Sequence, residues 1–291
     1  MELSWVMKLR IAAAAAVGAV LIGIFAWPLS EPSQTSGAIN QSGAAALLAL
    51  ALLAGFIGYF VSWPYGREIG ILAVPFGLAV WAVRSGSMAT LMQLNPTDAQ
   101  RNAVVQSLRW QPVFWLVVVA AGFVGPLLCR KIVSKPRPAE RGQGSKPNPG
   151  TYLSPIIAIA AAAVIAHLGI GILAQDVRLP DERLGFVSAQ PALGQLAFGV
   201  LVSFGLAAFA VRKLLGVGYI WPIMASAFVT AFAMSTYAKN VPYLAQQWPA
   251  FFFSNAVASV LPAQMVAFGT LGSVAGYWMA ARYDYWREHE M

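Results

Sequence analysis

Charge and cysteine are what this sequence has least of. Among its 291 residues 10% are charged and 58% hydrophobic, against roughly 25% and 45–50% in an ordinary soluble domain. A soluble enzyme is excluded by that gap. The single cysteine, Cys129, excludes an intramolecular disulfide and any metal site built from several thiolates. Of the two histidines, His167 falls in a predicted span and His289 in the tail, so haem held by two imidazoles within the membrane is excluded as well. All 11 acidic residues fall in loops or tails. No predicted span therefore holds the Asp or Glu of a proton relay, nor the aspartate pair of an intramembrane aspartyl protease. There is no GxSxG, GxxxxGK[ST], HExxH, CxxCH or EF-hand loop, and no GxGxxG after a strand. No catalytic residue, metal site or cofactor is assigned, and the expectation is a protein that is not an enzyme.

What is present is a series of apolar runs of about 20 residues, the length of helix that crosses roughly 30 Å of hydrocarbon. Eight segments qualify: 9–28, 44–62, 69–92, 111–129, 152–174, 195–211, 217–237 and 260–281. The loops between them alternate between basic and nearly neutral. With the amino terminus in the cytoplasm, that side carries 13 of the 19 basic residues, so both termini are expected inside, in a multi-pass protein of the plasma membrane. The net charge of +8 is then an orientation signal. It calls for no nucleic-acid partner, and the basic linker lacks the interleaved aromatics of a single-strand binder. That linker, 130–150, reads RKIVSKPRPAERGQGSKPNPG. It buries almost nothing, so it is expected to be a disordered cytoplasmic connection. It either anchors the topology or draws anionic lipid head groups.

Sliding the chain on itself by 148 residues lays Ile11–Ala26 over Ile159–Ala174 with nine of 16 positions identical. Nearby offsets pair Gly58 with Gly205, Pro75 with Pro222, Pro112 with Pro262 and Gly122 with Gly272. The expected fold is all-α, two similarly oriented four-helix membrane repeats, 1–129 and 151–291, joined by the linker. Lys8 and Arg10 before the first apolar run also suit a secretory signal. The match of that run to an internal span favours its retention.

Two outer segments are polar or one-sided. Asn95-Pro96-Thr97-Asp98 is a helix-start sequence, and residues 241–260 form either an interfacial helix or a re-entrant hairpin. Four polar residues are candidates for a pathway: Arg84, His167, Gln195 and Gln264. Arg84 precedes Ser85-Gly86-Ser87, which weakens the helix, so it either faces a cavity or sits at a helix end and snorkels outward. His167 and the two glutamines either line a pocket or bridge helices. Gly269, Gly272 and Gly276 place small residues on one side of the last span, as close helix packing requires. Two functions fit. One is a structural or accessory subunit of a membrane complex, partnered by lipid and by other membrane subunits or a second copy of itself. The other is a carrier or channel for a small or lipidic, anionic solute passing between the repeats.

Overall fold

The computed structural model describes residues 4–133, 150–175, 177–181, 185–239 and 256–289. Ser4 caps α1 (Trp5–Gly18), accepting from the Met7 amide, and the helix runs on as a π-helix over Ala19–Phe25. After α2 (Trp27–Ser30) come α3 (Gln41–Val61) and α4 (Gly66–Ile69), which passes through a 3-10 turn into α5 (Ala73–Arg84). The rest of the first half is α6 (Met88–Leu94), α7 (Asp98–Leu108) and α8 (Gln111–Val133). The second half has α9 (Gly150–Leu173), α10 (Leu193–Leu215), α11 (Ile220–Lys239) and α12 (Pro262–His289). Between α9 and α10 the chain forms a two-stranded antiparallel pairing, β1 (Val177–Asp181) on β2 (Gly185–Ala189), with Leu179 opposite Val187.

This is an all-α membrane protein apart from that pair of strands. Among the described residues seven helical stretches are long and apolar enough to cross a membrane, where the sequence led us to expect eight. The one that differs is α12. It is a full-length helix, but Gln264, Gly269, Thr270, Gly272, Ser273 and Gly276 dilute its apolar character, and its first turns are buried in protein rather than turned to lipid. The third predicted span also departs from expectation, because it is not one helix. α5 ends at Arg84 and α6 begins at Met88, with Gly86 at φ +87° between them, a conformation that suits only glycine well. Most of the 130–150 linker lies outside the described residues, as do 240–255 of the second outer segment.

The described chain divides into two compact units. The first comprises Met1–Glu31, Ile39–Trp81 and Val117–Ile156. Its helices meet through glycine: a side chain on Gly18 would run into the Ala73 carbonyl, and one on Gly55 into the Gly122 carbonyl. Backbones can approach that closely only without a Cβ, which is how membrane helices gain dispersion contacts when water supplies no drive. Trp81 donates its indole N–H to Ser30 Oγ at 3.0 Å, which ties α5 to the end of α2.

The second unit comprises Pro32–Ala38, Ala82–Leu116 and Ile157–Met291. Its main axis is α10 against α12. Gly272 sits against the Leu201 carbonyl and Gly276 against the Gly205 carbonyl, while a Cβ on Gly269 would lie 2.8 Å from Ser226 Cβ on α11. The outer helices α6 and α7 bury Met88, Leu91, Met92, Val104, Val105 and Leu108 with Met234 and Tyr237 of α11 and Ala258 and Leu261 before α12.

Candidate functional site

The break between α5 and α6 is where two glutamines from distant parts of the sequence meet helix ends. A helix that stops leaves its last carbonyls, and the next helix its first amides, without intrahelical partners. Ser87 caps α6 and accepts from the Thr90 amide at 3.2 Å. Ser85 Oγ donates to the Ala82 carbonyl at 2.8 Å. What remains is met by two glutamines from distant parts of the sequence.

Gln264 is 0% exposed. Its side-chain amide donates to the Gly86 carbonyl at 2.9 Å and the Ala82 carbonyl at 3.3 Å, and its oxygen accepts from the Leu261 amide at 3.2 Å. The last bond runs from the first turn of α12 back to its cap, the backward half of a capping box. One side chain thus closes the carbonyl end of α5 and the amide end of α12. Gln190, just after β2, acts in the same way: its oxygen accepts from the Ala89 amide at 2.7 Å and its nitrogen donates to the Ser259 carbonyl at 2.8 Å. Residues 256–261, which precede α12 without forming a helix, are buried throughout. Irregular backbone of this kind is tolerated only where protein satisfies it, and Gln190 supplies part of that.

A second polar clamp holds the first outer loop. Three successive carbonyls, Thr35, Ser36 and Gly37, accept from Asn95 Nδ2 at 2.8 Å, Ser107 Oγ at 3.1 Å and Gln111 Nε2 at 2.8 Å. Gly37 turns the loop at φ +64°. The helix start foreseen at Asn95–Asp98 forms, with Thr97 and Gln100 in a reciprocal capping box.

The four pathway candidates fall in different settings. Gln264 is wholly committed to helix ends, as above. Gln195 is exposed near the start of α10 and donates to the Leu173 carbonyl at 3.1 Å. Arg84 is exposed in the last turn of α5, beside the break. His167 is exposed on α9. Among the described residues no three His, Cys, Asp or Glu side chains gather as a metal site requires.

At the opposite end of α10, Lys213 bonds Asp284 of α12 and lies 4.2 Å from the Tyr283 ring centroid. Arg212 lies 5.3 Å from the Tyr277 ring centroid. The Lys213 bond, aided by the charges of Lys213, Arg287 and Arg212, holds the Asp284 carboxyl below its usual range against a smaller opposing effect of burial. The bridging roles of Gln190, Asn95, Ser107 and Gln111 escaped the sequence reading because their partners are backbone groups, which every residue has. Comparison with protein-family models, with curated proteins and with solved structures gives no match for this chain.

Proposed function

We propose that this chain is a non-catalytic structural or accessory subunit of a membrane complex. The observation that carries this is the commitment of Gln264: its amide, the most deeply buried of the pathway candidates, spends both ends on the termini of α5 and α12 and offers nothing to a solute. The small-residue crossings of α3 with α8 and of α10 with α12 point the same way, since close dry packing fixes helices rather than letting them rock.

In this proposal α12 is the eighth crossing, less apolar because protein surrounds its first half. The chain is a duplicated four-helix unit, a reading supported by burial as well as by sequence. In the first span Ala14, Gly18, Ile22 and Ala26 are buried; 148 residues on, so are Ala162, Ala166, Ile170 and Ala174. Gly122 and Gly272, paired at an offset of 150, both lie where a fourth helix crosses the second of its own half. Both termini lie in the cytoplasm, the membrane is the plasma membrane, and the basic linker meets anionic head groups there.

The broken third span favours a second reading, a carrier for a small anionic solute, because discontinuous helices commonly form transporter sites. Extraction in mild detergent followed by mass spectrometry of whatever remains bound separates the two. A stoichiometric set of other membrane proteins is expected. A lone chain that moves solute in liposomes, and loses that flux in Arg84→Ala, would favour the carrier instead.

A further inference from the structure

α10 and α12 run side by side in the same direction. Gly272 sits against the Leu201 carbonyl and Gly276 against the Gly205 carbonyl, and the same spacing of 71 residues brings Asp284 to Lys213, which donates to its carboxylate. α10 is long and apolar enough to cross a membrane and ends at Leu215. Its basic last turn, Arg212 and Lys213, and the neighbouring stretch of α12 therefore share one level, that of the head groups. Tyr283, Tyr285 and Trp286 are exposed there, as interfacial aromatics are. Three cations bear on one bonded carboxylate: Asp284 takes its bond from Lys213, and the charges of Arg287 and Arg212 act on it as well. The end of α10 adds about half a negative charge, which leaves positive charge over. Among the described residues Arg212, Arg287 and the exposed Glu288, one turn beyond Asp284, form no ion pair.

Arg212 is also held in place. Its Nη1 donates to the Gly216 carbonyl at 2.9 Å, and its guanidinium carbon lies 5.3 Å from the Tyr277 ring centroid, itself 5.3 Å from that of Tyr219. Its Nε is buried and finds no acceptor, a condition in which folded proteins rarely leave a donor. Beside it the turn from α10 to α11 is open, since a Cβ on Gly216 or Gly218 would meet nothing within 4 Å. We propose that the end of α10, with Arg287, binds the phosphate of an anionic phospholipid, Arg212 presenting its planar fork while Lys213 and Arg287 supply supporting charge. Geometry and charge together choose this occupant. A guanidinium meets a phosphate through two parallel donors, and the site lies at the level where phospholipid phosphates lie. A zwitterionic lipid would bring its own ammonium into a region already positive. The site draws on no residue of the 130–150 linker, and it holds equally for an accessory subunit and a carrier.

The test is lipid retention by the full chain, purified in mild detergent, offered phosphatidylglycerol or phosphatidylcholine at equal concentration and weighed by native mass spectrometry. Wild-type protein keeps phosphatidylglycerol at concentrations where it releases phosphatidylcholine. Arg212→Gln, whose amide can still donate to the Gly216 carbonyl, weakens retention about tenfold, the lower end for a hydrogen bond to a charged group. Arg212→Lys restores only part of it, having the charge without the fork. Arg287→Gln, at an exposed position, weakens retention less and leaves the lipid-free melting temperature that of wild type, which separates lost binding from lost folding. Lys8→Gln, at an exposed cation in the first turn of α1, changes nothing. Equal retention of the two lipids, wild-type retention in Arg212→Gln, full recovery in Arg212→Lys, or an equal loss in Lys8→Gln would each overturn the proposal. Displacement of the retained lipid by millimolar inorganic phosphate would give the site to a soluble phosphate and overturn the lipid assignment. Solute flux in liposomes would overturn the accessory reading and leave this result untouched.

Discussion

The first span and the fifth share an alanine-rich sequence and the same buried face, and differ in what lies on the neighbouring side. On α1 and its π-helical extension, Gly18 meets the Ala73 carbonyl and Gly23 meets Val80, so the helix is held on two sides. On α9 the same register buries Ala162, Ala166, Ile170 and Ala174, and Val164, Leu168 and Ile172 are exposed just as Ala16, Val20 and Ile24 are in the first span; the difference lies at Gly171, where a Cβ would meet nothing within 4 Å. One sequence pattern therefore serves two environments. Residue identity accounts for only part of the difference: Gly18, against the Ala73 carbonyl, is matched by Ala166, whereas Gly23 and Gly171 are both glycine and only the first is covered. There is a further asymmetry. The third helix of the first half breaks at Gly86, while α11 in the second is continuous, and the amide that seals the break, Gln264, stands 150 residues after Phe114.

The largest expected effect is at the covered face. Gly23→Leu forces Val80 aside and costs about 3 kcal/mol of stability, the upper end of overpacking, while Gly171→Leu, at the matching place in the open face, shifts protomer stability by less than about 0.5 kcal/mol. Thermal melts of the two purified variants check this, and equal losses would abolish the distinction between the faces. Next in size is Gln264→Leu. It strands the buried Leu261 amide, at about 1–3 kcal/mol for an unsatisfied group, while the Gly86 carbonyl, on an exposed residue, can turn to water. Faster hydrogen exchange confined to α6 and the start of α12 is the accompanying signature; if exchange there is unchanged, Gln264 does not hold the break. Gln190→Ala tests the other half of the same knot. Its residue is only half-buried, so water replaces part of what is lost, and a drop near 1 kcal/mol is expected in the same melts.

The smallest effect is electrostatic. The bond from Lys213 holds the Asp284 carboxyl below the ordinary carboxylate value of 3.8. A group whose pKa is depressed on folding contributes stability above its unfolded pKa and loses it as pH falls through the folded value. A slight loss is therefore expected below about pH 4, absent in Asp284→Asn, and visible as a difference between the two acid titrations followed by melting temperature.

Much of the architecture was legible in the residues, because lipid imposes a length and a polarity that hydropathy reads directly. Ser85-Gly86-Ser87 marked a weak point in the third span, though the span was expected to continue to 92, and Asn95-Pro96-Thr97-Asp98 announced the start of α7. α12 was the harder case: a helix wrapped in protein has no need of lipid-facing leucines, so its glycine and serine content reads as weaker hydropathy. The two glutamines show the limit most clearly. Gln195 and Gln264 were indistinguishable in the sequence, each near a span end, yet one is exposed and the other is 0% exposed between two helix termini. That distinction is set by which helix stops opposite the side chain, and local sequence does not encode it. The two strands over 177–181 and 185–189 likewise rest on pairing across a short connection whose residues lack a strong alternation.

The central claim, that the chain holds helices together instead of passing a solute between them, is tested most directly by its state on release from native membranes. Extracted without harsh detergent and weighed by native mass spectrometry, it should appear with other membrane proteins in fixed stoichiometry. Recovery only as itself, singly or in pairs, together with solute flux after reconstitution, would contradict the account.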